Sequence, residues 1–265
     1  MTIIRIEDPA DARIAAFRDI RERDLTGREG LFVAEGEVVL RVLASTASRC
    51  RTVAVLLAES RLEAQRELLA GLPAAVPVHI APQSVLDGIT GFHLHRGILA
   101  LGEKPAPIEI DGFLGATDAD AVIVAASGIG NHDNMGGIFR NAAAFGVAGV
   151  MLDDRCCDPF YRKAIRVSVG AALRTPVITG LTADAMVDAL ERQGFTVIAL
   201  TPSATEDLSD MPRTGRRAIL LGPEGPGLPA ALIARCRGAG IPMSGGFDSL
   251  NVATAGAVAL YHLTR

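Results

Sequence analysis

Four short, nearly uninterrupted apolar runs recur in the C-terminal part of the chain, at 121–126, 147–152, 196–200 and 218–221. Apolar residues without alternation are what a strand needs when both faces of its sheet are covered, and sheets of that kind are parallel. Segments of helical periodicity separate the runs, at about 135–145, 158–173, 182–193 and 229–236, and a last one spans about 249–263. Strands alternating with helices predict a doubly wound parallel α/β domain, whose ligands bind at the carboxyl ends of the strands.

Residues 103–109, Glu-Lys-Pro-Ala-Pro-Ile-Glu, mark a boundary, because two prolines in three residues continue neither a helix nor a central strand. They divide the chain into residues 1–105 and 106–265. The first part reads as a small α/β sandwich. A helix is expected over 11–21, with Ile14, Phe17 and Ile20 spaced by three and Asp11 as its cap. A strand at 31–33, a helix at 36–44, a strand at 53–58, a charged helix at 60–70 and strands at 76–80 and 98–101 follow.

With 49% apolar and 21% charged residues over 265 positions, the chain has ample material for a core, which excludes global disorder. No apolar run approaches the roughly 18 residues of a membrane span, and the start has no apolar stretch of signal-peptide length; a cytoplasmic protein with no membrane association is expected. Cys50, Cys156, Cys157 and Cys236 lack C-x-x-C spacing and read as reduced thiols. His93 and His95 alternate as in a strand and His132-Asp133 stand elsewhere, so no metal site is expected. A net charge of -4 argues against binding nucleic acid by bulk electrostatics alone. Lys104 and Lys163 are the only lysines, so any phosphate contact falls mainly to arginine.

Three glycine-bearing stretches remain. In 127–142, Ser-Gly-Ile-Gly-Asn-His-Asp-Asn-Met-Gly-Gly-Ile-Phe-Arg-Asn-Ala, the dinucleotide pattern fails because Asp133 stands where glycine is required. Asn134 is placed to cap a helix with an apolar stripe of Met135, Ile138, Ala142 and Phe145, and Arg140 points away from that stripe. In 221–229, Leu-Gly-Pro-Glu-Gly-Pro-Gly-Leu-Pro, glycines and prolines make a rigid loop that puts Glu224 at the carboxyl end of the sheet. In 241–255, a strand end leads through a glycine-rich loop to a helix capped by Ser249, with Asn251 at its start. Ala253, Ala255, Ala257 and Ala259 then let another helix approach closely.

Taken in order, these stretches resemble the three motifs of the SpoU (TrmH-like) branch of the SPOUT RNA methyltransferases. The first is Asn134-x-Gly136-x-x-x-Arg140-x-Ala142; the second is 221–228; the third runs from Ile241-Pro242-Met243 through Ser249-Leu250-Asn251-Val252 and is the most specific. Asp158-Pro159-Phe160 with Lys163-Ala164 and Arg166 resembles the family's connection between motifs. Phe32-Val33-Ala34-Glu35-Gly36 and His95-Arg96-Gly97 are similar to its L30e-like RNA-binding domain, so the likeness covers nearly the whole chain. Two departures stand out. Arg140-Asn141-Ala142 replaces the common Arg-Thr-Ala, and Arg21-Glu22-Arg23-Asp24 replaces a lysine-rich run.

The resemblance implies an α/β chain: a small L30e-like RNA-binding domain over 1–105, then a parallel-sheet SPOUT methyltransferase domain over 106–265 with a C-terminal trefoil knot. It implies S-adenosyl-L-methionine (AdoMet) as cofactor, contacted by Gly222, Ile241 and Leu250 with Leu200 and Met243 lining the pocket. It implies transfer to a ribose 2'-hydroxyl, with Arg140 central and Asn134, Glu224, Ser249 and Asn251 around it, in a homodimer paired through the knotted domains. Such a displacement needs a positioned hydroxyl and a path for its proton, and no metal. An arginine, with its pKa above about 12, suits orienting a phosphate and the hydroxyl better than accepting a proton. Ribosomal RNA is the expected substrate; tRNA, or a non-catalytic RNA-binding role in ribosome assembly, are the alternatives.

Overall fold

The computed structural model describes residues 2–18, 25–27, 29–90, 97–245 and 249–265. The run Arg21-Glu22-Arg23-Asp24, the residues His93, His95 and Arg96, and positions 246–248 of the third stretch lie outside the described residues. The chain forms two compact units: Met1–Pro105 with Phe160–Arg174, and Ala106–Pro159 with Thr175–Arg265. The segment 160–174 therefore packs with the first unit, where a single division at 105/106 puts it in the second. No helix among the described residues is long and apolar enough to cross a membrane.

The first unit is built on a five-stranded sheet of order β1-β4-β3-β5-β2, comprising β1 (Thr2–Arg5), β2 (Leu31–Glu35), β3 (Arg51–Ala58), β4 (Pro77–Ala81) and β5 (Ile98–Glu103). Strands β1, β4 and β3 run parallel, while β5 is antiparallel to both β3 and β2. Helices α1 (Glu37–Leu43), α2 (Leu62–Ala70) and α3 (Gln83–Thr90) connect them. Phe32 is fully buried opposite Gly102 on β5, where a Cβ would stand 2.3 Å from the ring; glycine there is what lets the ring lie across the sheet. Within the helix expected over 11–21, Ala12–Phe17 form a 3-10 helix that ends at an extended Arg18, Asp11 caps it by accepting from the Arg13 N–H, and Ile20 lies outside the described residues. Strand β1 and helix α3 carry no signal that the sequence reading used.

The second unit holds a six-stranded parallel sheet of order β11-β9-β10-β6-β7-β8. Its strands are β6 (Val122–Ala126), β7 (Gly149–Asp153), β8 (Val177–Leu181), β9 (Thr196–Leu200), β10 (Arg217–Leu221) and β11 (Arg237–Ala239). The three strands β10, β6 and β7 are buried at every residue, as uninterrupted apolar runs require. The helices are α4 (Ile110–Gly115), α5 (His132–Ala144), α7 (Ala183–Arg192), α8 (Ala230–Ile233) and α9 (Val252–Leu263). Between β7 and β8 the chain leaves this unit, forms α6 (Arg162–Val167) and a 3-10 turn at Ala171–Leu173 in the first unit, and returns. One helix over 158–173 was expected; Val169 at φ 55° and Gly170 at φ 81° break it.

Helices α5 and α9 pack closely on one another. A Cβ on Gly137 would lie 2.8 Å from that of Ala253, and one on Gly256 would lie 3.2 Å from Leu221 of β10. Arg217, 2% exposed, ties the far end of α9 to the sheet: its guanidinium donates to the carbonyls of Leu263 (2.9 Å), Asp120 (2.7 Å), Gly215 (2.7 Å) and Arg213.

Candidate active site

All six strands of the second unit end on the same edge of the sheet, and the three motifs meet there. After β10 the loop 222–228 folds tightly back, so that a Cβ on Gly222 would come within 2.8 Å of both the backbone nitrogen and the Cγ of Leu228. Gly225 and Gly227 turn the loop at φ 86° and 67°, a region costly for other residues. Glu224 sits exposed at the tip.

Asn251 is the hub. Its Oδ1 caps α9, accepting from the N–H groups of Ala253 (3.0 Å) and Thr254 (3.2 Å). Its Nδ2 donates to Asn134 Oδ1 at 2.7 Å and to Glu224 Oε1 at 3.0 Å. One side chain from each motif is thereby joined in a single hydrogen-bonded row. Two caps differ from expectation. Asn131, not Asn134, caps α5 by accepting from the Asp133 N–H, which leaves Asn134 inside the first turn, 6% exposed and directed at α9. Asn251, not Ser249, caps α9; Ser249 lies before the helix and is exposed.

Arg140 is exposed on α5, six residues beyond Asn134 and so about 240° around the helix. Within one chain the structure does not bring it into the hydrogen-bonded row. The departure beside it has a structural role: Asn141 Nδ2 donates to the Ala253 carbonyl at 2.8 Å, a direct tie between α5 and α9.

The residues that the resemblance assigns to the cofactor follow three adjacent strands. Leu200 closes β9, Gly222 follows β10, and Ile241 and Met243 follow β11; all four are half-buried, while Leu250 is 40% exposed.

Sequence reasoning missed the buried carboxylate of Asp153 at the end of β7. It accepts from Ser127 Oγ (2.6 Å), the Gly128 N–H (2.9 Å) and the Arg155 N–H (3.1 Å), and Arg155 Nε lies 3.3 Å away. Burial alone would raise its pKa; hydrogen bonds from Gly128 and Ser127, with the Arg155 charge, outweigh burial and hold it below the ordinary value. The network fixes the loop that leads into α5. Cys156 belongs to the same support: its thiol donates to the Ala126 carbonyl (3.3 Å), accepts from the Ile129 N–H (3.3 Å), and is pushed by burial to about 12. All four cysteines are free. An acid directly after an apolar run, at a strand's carboxyl end, was the available signal.

Comparison with known proteins bears on this arrangement. The model of the SpoU rRNA Methylase family matches residues 121–261. An uncharacterized tRNA/rRNA methyltransferase of Mycobacterium tuberculosis is 39% identical over 272 residues, covering 97% of this chain and 90% of the relative. A crystal structure described as an RNA 2'-O ribose methyltransferase aligns with a TM-score of 0.78 at 25% identity, covering 98% of both chains. The SpoU methyltransferase AviRb from Streptomyces viridochromogenes, solved with AdoMet, has the same fold, with a TM-score of 0.81 at 23% identity over 96% of this chain and 98% of that one. The family match spans all three motifs, and the likeness to the mycobacterial relative extends over nearly the whole length. The chain belongs to the SpoU rRNA methylase family.

Proposed function

We propose that the protein transfers a methyl group from AdoMet to a ribose 2'-hydroxyl of RNA, with ribosomal RNA as the substrate. The observation that carries the reading is the row Asn134–Asn251–Glu224, in which one amide nitrogen joins the three motifs at the carboxyl edge of the sheet. The description of one structural neighbour as an RNA 2'-O ribose methyltransferase supports the ribose assignment. The resemblance of the first unit to the RNA-binding domain of rRNA-modifying members supports rRNA over tRNA.

The residues present fit AdoMet. Leu200, Ile241, Met243 and Leu250 supply apolar surface, and none sets a cation beside a sulfonium. Gly222 lets the loop 222–228 close on itself beside the apolar surface, since a Cβ there would meet the Leu228 backbone nitrogen and Cγ at 2.8 Å. When bound, AdoMet supplies an activated methyl group. Glu224 and the two asparagines form a preorganised polar row able to accept from and donate to a ribose. Arg140 binds the neighbouring phosphate and orients the hydroxyl, and Ser249 completes the polar border. Arg140 stands apart from the row within one chain, which supports a homodimer in which it serves the partner's site. The same reading includes a C-terminal trefoil knot, a departure from the near absence of knots in proteins, and a cytoplasmic location.

The test uses radiolabelled AdoMet with unmodified rRNA and tRNA pools, comparing wild type with Arg140→Ala and digesting products to nucleosides. Label in a 2'-O-methylnucleoside from rRNA, absent with the variant, is expected. Label on a base overturns the ribose assignment, label in tRNA overturns the rRNA choice, and failure to bind AdoMet returns the non-catalytic alternative.

A further inference from the structure

Arg155 stands two residues beyond the end of β7, and its guanidinium is held along one edge only. Nε donates to Asp153 Oδ2 at 3.3 Å and Nη2 donates to Ser127 Oγ at 2.9 Å. Nε and Nη2 form the side edge of the planar fork, so two of its five N–H groups point inward. Both acceptors are themselves fixed. Ser127 is fully buried, its hydroxyl donates to Asp153 Oδ2 at 2.6 Å, and the Asp153 side chain is 0% exposed. The Arg155 side chain is nonetheless 59% exposed. Among the described residues no acceptor engages Nη1, so the end edge of the fork, Nη1 with the second N–H of Nη2, stays open.

Neutralising Asp153 does not account for this arrangement. The hydrogen bonds from the Gly128 N–H and the Ser127 hydroxyl hold that carboxyl down more than the Arg155 charge does. A counter-ion needs only proximity, whereas the second bond, to Ser127, fixes the plane of the guanidinium and the direction of its open edge. That direction is set from the loop of the first motif. The Ser127 N–H donates to the Leu221 carbonyl at the end of β10 (2.9 Å). Gly128, whose N–H donates to the same carboxylate at 2.9 Å, lies against Pro223, where a Cβ would stand 3.3 Å from the proline Cγ. Pro223 immediately precedes Glu224 of the hydrogen-bonded row.

We propose that Arg155 binds a backbone phosphate of the substrate RNA through its open edge, with Ser127 and Asp153 as the buried pair that aims it. The proposal rests on the RNA reading above. Two N–H groups at the end of a guanidinium match two phosphate oxygens, a bidentate geometry that an ammonium does not supply. A phosphate on that edge meets the guanidinium first. The Asp153 carboxylate lies behind it, its charge already shared among the donors of Ser127, Gly128 and Arg155. Because the inner edge is locked, little side-chain freedom remains to be lost on binding. In a chain with a net charge of -4, a placed contact of this kind supplies affinity that bulk charge does not.

The test is fluorescence-anisotropy binding of a fluorescein-labelled RNA hairpin across a KCl series, with AdoMet affinity measured by calorimetry on the same preparations. For Arg155→Gln the RNA affinity is expected to fall roughly fivefold, and the slope of log K against log salt to flatten by about 0.7–0.9, the loss of one phosphate contact. AdoMet affinity is expected to stay at the wild-type value. Because Arg155→Gln also removes a cation from beside a buried carboxylate, Arg155→Gln/Asp153→Asn repeats the measurement with the pair neutral, and the same loss is expected. An Arg155→Gln protein that binds AdoMet like wild type and keeps the wild-type RNA affinity and salt slope overturns the proposal and leaves the RNA reading intact. A loss that the double variant restores in full also overturns it, since the effect is then that of the uncompensated carboxylate. Wild-type protein that binds AdoMet but shows no salt-dependent affinity for RNA overturns the RNA reading, and this contact with it.

Discussion

Asn251 has two jobs on two different atoms, and the substitution Asn251→Asp separates them. The Oδ1 that caps α9 is retained, since asparagine and aspartate cap about equally well, and a carboxylate at a helix N-terminus gains about 0.3–1 kcal/mol from the macrodipole. The Nδ2 that joins the motifs is lost. One of its bonds goes to a neutral amide, a contribution of about 1 kcal/mol, and the other to a carboxylate, about 1.5–3 kcal/mol. An oxygen in its place sits near 3.0 Å from Glu224 Oε1. Two unit negative charges at that distance repel by about 1.4 kcal/mol with the dielectric of water and by about 5 kcal/mol at an effective value of 20. Glu224 is exposed, so the lower figure applies, and the side chain relieves the repulsion by swinging into solvent. The helix keeps its cap while the polar row comes apart. The lost bonds outweigh the macrodipole gain by about 1.5–3.7 kcal/mol, and the melting temperature is expected to fall by about 3–15 °C. In a tritiated methyl-transfer assay, kcat/KM is expected to fall on the order of 100-fold, equivalent to about 2.7 kcal/mol. Asn251→Ala removes both functions, adding a loss of about 1 kcal/mol of cap and a drop in melting temperature of about 2–4 °C. An Asn251→Asp enzyme within threefold of wild-type kcat/KM, alongside an inactive Asn251→Ala, refutes the bridging role and leaves only the cap.

Asp153 titrates below its ordinary value in the folded protein, so its contribution to stability is present at neutral pH and disappears as pH falls from about 4 through that lowered value. The urea midpoint of wild type is expected to drop more between pH 7 and pH 3 than that of Asp153→Asn, and equal drops contradict the assignment. Gly137→Ala sets a Cβ 2.8 Å from that of Ala253, and overpacking by about 1–3 kcal/mol is expected to exceed the gain of up to about 1 kcal/mol in helix propensity. Urea unfolding of Gly137→Ala/Ala253→Gly should recover the overpacking loss if the clash is its cause. Arg217→Met strips the carbonyls of Leu263, Asp120, Gly215 and Arg213 of their buried donor, and a loss of about 2–4 kcal/mol is expected in the same measurement.

The sequence by itself determined the interior of the second unit. Strands β6, β7, β9 and β10 stand where the apolar runs are, because a strand covered on both faces leaves a mark at every position. The glycine loop at 222–228 was legible for a similar reason, since its turns need residues that adopt positive φ. Strand β8 was not, and of the three-residue β11 only a strand end was read, at Ile241 where the strand stops at Ala239, because both are edge strands with a single buried residue each. Tertiary structure alone decided the rest. Asn131 and Asn134 are equally good caps on paper, as are Ser249 and Asn251, and only the packing of α5 on α9 assigns one of each pair to its helix and frees Asn134 to meet Asn251. Nothing local in 158–173 says that its arginines turn to a buried Glu35 more than a hundred positions earlier. Periodicity and turn chemistry act between neighbours along the chain and are written in the order of residues. Hydrogen bonds and buried charges join groups that only folding brings within a few ångströms, so their partners are written nowhere until the chain has closed on itself.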